Sequence, residues 1–123
     1  MSRIRSGDTL PEMAVRRLVH GMGYRYRLHV PDLPGKPDLV FPRLRRIIEV
    51  QGCFWHQHPG CIDSHIPKTR REYWGPKLDR NTRRDEENRR KLRRLGWRVL
   101  VVWECETRNA AKLSKRLERF LAG

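Results

Sequence analysis

The chain has 123 residues, with 28 Lys and Arg against 14 Asp and Glu, giving a formal net charge of +14 at pH 7. That length suits one domain, residues 1–123, whose modest core a metal staple would reinforce. So basic a surface points to nucleic acid, because neutralised phosphates release counterions. The lack of a long apolar stretch, signal peptide or lipidation motif argues against a membrane and for a soluble protein of the cytoplasm.

In chain order, helical and strand patterns alternate with no repeat or low-complexity linker, which predicts an α/β fold with a mixed sheet flanked by helices. Thr9-Leu10-Pro11-Glu12 fits a capping box at a helix start, with proline tolerated in the first turn. Met13, Ala14, Val15, Leu18 and Val19 give the helix an apolar face, and Gly21 and Gly23 stop it. Tyr24 to Val30 alternates as a strand does, and Pro31 to Pro37 is a turn. Leu39-Val40-Phe41 and Ile47-Ile48-Glu49-Val50-Gln51 flank a basic turn, Pro42 to Arg46, so they predict a hairpin. From Thr69 to Leu95 the pattern is helical but polar almost all round, with an interruption expected at Gly75-Pro76. Arg98 to Trp103 reads as a buried strand and Ala110 to Leu121 as a terminal helix, and Trp97 and Trp103 are expected in the core.

Three cysteines cannot all pair with one another, and a reducing compartment keeps thiols for metal or packing. Cys53, His58 and Cys61 fall within nine residues and Cys105 lies far downstream; together they would form a closed tetrahedral Cys3His zinc site. The alternative is three unrelated buried or free cysteines. At the head of the expected hairpin, Asp38 and Glu49 can approach each other. With the Val50 carbonyl they offer the oxygen ligands that magnesium needs, and such an ion lowers the pKa of an attacking water. The spacing is that of the PD…(D/E)xK nucleases with Gln51 in the lysine place, where it can orient a water but carries no charge.

Leu33 to Asp38, Gly52-Cys53-Phe54-Trp55-His56, Pro67 to Arg70, Lys77 to Asn81 and Gly96 to Cys105 together resemble the very short patch repair endonucleases, in matching order over residues 8–108. The resemblance implies a restriction-endonuclease-like fold, a structural zinc, catalytic magnesium and aromatic side chains wedged into double-stranded DNA. It further implies nicking on the 5′ side of the thymine in a T·G mismatch, by a bacterial, nucleoid-associated protein expected to be a monomer. Carried over, it makes Asp38 the central magnesium ligand, His56 a catalytic histidine and Glu12 the helix glutamate beside the site. Cys53, His58, Cys61 and Cys105 match the zinc ligands, and Phe54, Trp55 and Trp74 match the aromatic residues at the mismatch, with core packing as their alternative.

This chain departs from the pattern in three places. Glu49-Val50-Gln51 stands where the resemblance expects a catalytic histidine at its end, which suggests a shift toward two-carboxylate chemistry. His58-Pro59-Gly60-Cys61 has one residue more than expected between imidazole and thiol, and Met1 to Gly7 leaves little of a DNA-gripping arm. Lys68, Arg70, Arg71, Lys77 and Arg80 are expected to touch backbone phosphates, unless Asp79, Asp85, Glu86 and Glu87 make the run a solvated, internally paired face. Asn81 and Asp85 could orient one another or a water. Two rivals accompany the repair reading: a DNA-binding module without catalysis, and a less selective nuclease of the same fold acting in defence or recombination.

Overall fold

The computed structural model describes residues 9–123, so the expectation for Met1 to Gly7 lies outside the described residues. Helix α1 spans Leu10–Gly21 and starts as its sequence dictates: Thr9 Oγ1 accepts the Glu12 N–H at 3.3 Å, and Pro11 sits in the first turn, where its missing N–H costs nothing. The reciprocal half of the expected capping box gives way to a longer-range contact. The Glu12 carboxylate turns to His29 instead.

Strand β1 is only Arg27–Leu28, shorter than the expected Tyr24 to Val30. At its end His29 adopts φ +45°, a left-handed conformation that takes the chain out of extended geometry. Strands β2 (Leu39–Phe41) and β3 (Arg46–Gln51) form the expected antiparallel hairpin, with Leu39 opposite Ile48 and Phe41 opposite Arg46. Strand β4 (Arg98–Trp103) pairs parallel to β3, and the sheet order is β1-β2-β3-β4. A parallel pair needs a long crossover, supplied here by helix α2, Arg71–Arg94. Gly75-Pro76 does not interrupt α2: near the start of a helix proline's fixed φ is already helical, and it removes a single backbone donor. Helix α3, Ala110–Ala122, is capped by Asn109, whose side chain accepts the Lys112 N–H at 3.1 Å.

The mixed sheet separates two apolar layers. On one face Leu39, Phe41, Ile48 and Val102 pack with Val15 and Val19 of α1 and with Leu113, Leu117 and Leu121 of α3. On the other, Val40 and Ile47 meet Leu92 of α2 and Trp97. Trp97 is core as expected, with the Arg45 guanidinium 4.3 Å above its ring. Trp103 is not: it is half-buried and lies flat on the His58 imidazole, centroids 4.3 Å apart and planes 12° apart. The strand's last side chain has run past the core and onto the loop beyond. Among the described residues, no helix is long and apolar enough to cross a membrane.

Candidate active site and thiol cluster

The sheet register builds the acidic site. One step beyond the Leu39–Ile48 pair puts Asp38 across from Glu49, and one step beyond the Leu28–Leu39 pair puts His29 across from Asp38, whose carbonyl accepts the His29 N–H at 3.1 Å. A cavity of about 320 Å³ opens there, lined by His29, Asp38, Glu49, Gln51, His56 and Asp85 among others. Asp38 Oδ2 accepts the Val50 N–H at 2.7 Å. Glu12, only 2% exposed, reaches in from α1, and His29 Nε2 lies 3.0 Å from each of its carboxylate oxygens and 3.9 Å from Asp38 Oδ1. Glu12, His29 and Asp38 each offer a ligand atom, and these atoms all lie within 4.8 Å of one another.

The expected pair of Asp38 and Glu49 is therefore arranged differently. Both line the cavity, but the Glu49 carboxylate is engaged by Arg89 of α2, Oε1 to Nη1 3.4 Å, and Glu12 and His29 are the groups gathered around Asp38. Burial raises the Asp38 carboxyl to about 7; the Val50 N–H pulls against this, while Glu12 and Glu49 push the same way. Burial also raises Glu49, against the opposing Arg89 guanidinium. Gln51 is 5% exposed, and its Oε1 has no hydrogen-bond partner among the described residues. A cluster of like charges beside an unsatisfied buried acceptor fits a cation better than it fits an empty polar corner.

His56 is fixed from α2. Its Nδ1 lies 2.5 Å from Asp85 Oδ2, and because a carboxylate only accepts, Nδ1 is the donor; in the neutral ring that leaves the lone pair on Nε2. Asn81 and Asp85 do not orient one another. Asn81 donates to the Trp55 carbonyl at 3.4 Å and accepts from Arg84 at 3.2 Å, so both α2 residues hold the segment after β3.

That segment carries the thiol cluster. Cys53, His58, Cys61 and Cys105 bring one ligand atom each within 4.8 Å of the others, with His58 Nδ1 3.7 Å from Cys53 Sγ and 3.5 Å from Cys105 Sγ. Gln57 before His58, φ +49°, and Gly60 between His58 and Cys61, φ +72°, are both left-handed and turn the loop on itself. Burial pushes the Cys53 thiol up to about 12 and also raises Cys105, so in this setting a thiolate calls for a metal ion. Three thiol sulfurs and one imidazole nitrogen, with no open position, are consistent with structural zinc.

Between Cys53 and His58 the loop presents Phe54 and Trp55, which meet Trp74 edge-on at centroid distances of 5.3 to 5.4 Å. Trp55 is 40% exposed. Tyr73, not singled out from the sequence, extends the cluster through Trp74 at 4.9 Å, and Lys77 Nζ stands 5.1 Å over its ring. Lys68, Arg70, Arg71, Lys77 and Arg80 are all exposed around this cluster's helix. His29 and Arg89 were also missed. Only the β1–β2 register, which opposes His29 to Asp38, could have marked the first.

Residues 1–61 match the family described as DNA mismatch endonuclease Vsr. The chain is similar to the type II nicking enzyme V.XorIIP of Xanthomonas oryzae pv. oryzae, 50% identical over 121 residues that cover 98% of this chain and 88% of that protein. It is 40% identical over 128 residues to the DNA mismatch endonuclease Vsr of Escherichia coli, covering 100% of this chain and 81% of that one. The type II nicking enzyme V.NmeAIP of Neisseria meningitidis is 39% identical, over 98% of this chain and 86% of that relative. These matches and the acidic cavity set the class: the protein is a DNA endonuclease. Within that class the chain belongs to the Vsr family.

Proposed function

We propose that the protein nicks one strand of duplex DNA at T·G mismatches, as a repair enzyme that uses a divalent cation at Asp38 and a structural zinc at Cys53, His58, Cys61 and Cys105. The observation that carries this reading is the half-exposed aromatic cluster of Phe54, Trp55 and Trp74, in which Trp55 directly precedes His56 of the cavity that also holds Asp38. A wobble pair is cheaper to unstack than a Watson–Crick pair, so side chains that insert there favour mismatched duplex. The names of the relatives, nicking enzymes and a mismatch endonuclease, support the same reading.

Each residue has a defined task. Asp38 would be the central ligand and the Val50 carbonyl a second, with Glu12 closing the far side. When bound, magnesium or a similar dication offsets phosphate charge and makes an attacking water easier to deprotonate. His56 Nε2 accepts that water's proton while Asp85 holds the ring through Nδ1. Glu49, held by Arg89, and Gln51 form the polar wall facing the water, and Gln51 Oε1 accepts a hydrogen bond from it. Lys68, Arg70, Arg71, Lys77 and Arg80 position the backbone phosphates.

The experiment is a nicking assay on matched T·A and mismatched T·G duplexes with magnesium. Cleavage of the mismatch alone, lost in Asp38→Ala and weakened in Trp55→Ala, supports the proposal. Equal cutting of both duplexes would assign a less selective nuclease, and binding without cleavage in any divalent ion would assign a DNA-binding module.

A further inference from the structure

His29 has no task in the scheme above, yet it lies at the centre of the acidic cluster. Its Nε2 is 3.0 Å from both oxygens of the buried Glu12 and 3.9 Å from Asp38 Oδ1. In an octahedral site with bonds of about 2.1 Å, neighbouring ligand atoms stand about 3.0 Å apart and opposite ones about 4.2 Å. The observed separations fall within that range, so the same atoms that hydrogen-bond in the protein alone are spaced to share one ion. The residue also occupies the left-handed region at φ +45°, a conformation that an imidazole adopts at some cost and that is concentrated at functional sites. A third observation concerns the same cavity: the buried Oε1 of Gln51, one of its lining residues, has no partner among the described residues.

We propose that His29 supplies its Nε2 lone pair to the divalent cation held by Asp38 and Glu12, so that the site takes first-row transition dications such as Mn²⁺ in preference to Mg²⁺. The inference rests on the cation reading of Asp38 given above and adds a ligand and a selectivity to it. Magnesium favours an all-oxygen octahedron, whereas a nitrogen donor raises affinity for transition ions and does little for magnesium. The ring must then carry its proton on Nδ1. A histidine that served only to hold Glu12 would lend no such selectivity, because losing it would weaken both ions alike.

The test uses zinc-loaded full-length protein with Mn²⁺ as the probe, read by pulsed electron paramagnetic resonance for nitrogen coupling and by calorimetry for affinity. His29→Asn is the chosen variant, since asparagine tolerates φ > 0. The expected result is an imidazole nitrogen coupling in the wild type that persists in His56→Gln and vanishes in His29→Asn. The Mn²⁺ over Mg²⁺ selectivity should fall about tenfold or more in His29→Asn. If Mn²⁺ binds the wild type without nitrogen coupling while Asp38→Asn abolishes binding, the cation site stands and the role of His29 is overturned; this arm needs no His29 variant. Equal weakening of Mn²⁺ and Mg²⁺ in His29→Asn likewise overturns it. Mn²⁺ binding that Asp38→Asn leaves untouched would remove the site itself, and the proposal with it.

Discussion

At the scale of single residues, Asp38 is an anion placed where an anion is unwelcome. Its carboxyl has an ordinary value of 3.8 and is raised to about 7 in the fold. Between those values the folded protein keeps a proton that the unfolded chain has released, so this group's contribution to stability falls as pH rises through the window. Without added divalent cation, the Tm of Asp38→Asn relative to wild type should therefore climb from pH about 5 to pH about 7. A difference that stays flat in thermal melts would contradict the burial argument. His56 gives a second prediction. Asp85→Asn presents a group that can donate as well as accept, so the proton on His56 Nδ1 is no longer enforced. Nicking should drop about 10²-fold or more in single-turnover rate, with DNA affinity changed little. A variant that binds poorly but cuts normally once saturated would show that Asp85 holds the duplex instead.

At the scale of elements, α2 carries two functions on different faces. Leu78 and Leu92 are its buried residues, Asp85 lines the cavity, Arg89 engages Glu49, and the remaining basic side chains meet solvent. Some of that charge is neutralised along the helix, as in Arg83–Asp79 at 3.1 Å and Lys91–Glu87 at 3.4 Å, but the cations nearest the aromatic cluster are exposed. Arg70→Ala or Lys77→Ala should weaken binding to matched and mismatched duplex alike and reduce the salt dependence, log K against log salt, by about 1 each. An unchanged slope in fluorescence titrations would place the phosphate track elsewhere. Much of this level was legible in the sequence. The hairpin, a helix over most of α2, β4 and both terminal helices follow from local signals of period, turn and cap, whereas the unbroken run through Gly75-Pro76 did not. The Cys3His set was legible too, since the chemistry of its donors is distinctive at any separation. The length of β1, the Glu12–His29 contact and the engagement of Glu49 by Arg89 were not, because each depends on which elements meet in space. A lone histidine before Val30-Pro31 carries no periodic signal, and a strand glutamate looks the same with or without an arginine across from it.

At the scale of the whole molecule, the thiol cluster joins the ends of the two parallel strands: Cys53 follows β3 and Cys105 follows β4. Between them runs the entire crossover, so a metal ion there closes a long loop that also contains α2. Cys105→Ser, or stoichiometric removal of zinc, should lower the Tm by about 10 °C or more. Calorimetry showing an unchanged transition after zinc loss would refute the staple. The same clasp has a consequence for how the enzyme fails. Phe54, Trp55 and His56 sit between two residues of the cluster, Cys53 and His58, so on the proposed reading lesion recognition and bond cleavage would share one short stretch of backbone with the metal donors. Oxidation of one thiol would slacken wedge and imidazole together. On the proposed reading, a copy damaged there would lose its grip on the mismatch and its cleavage in one event.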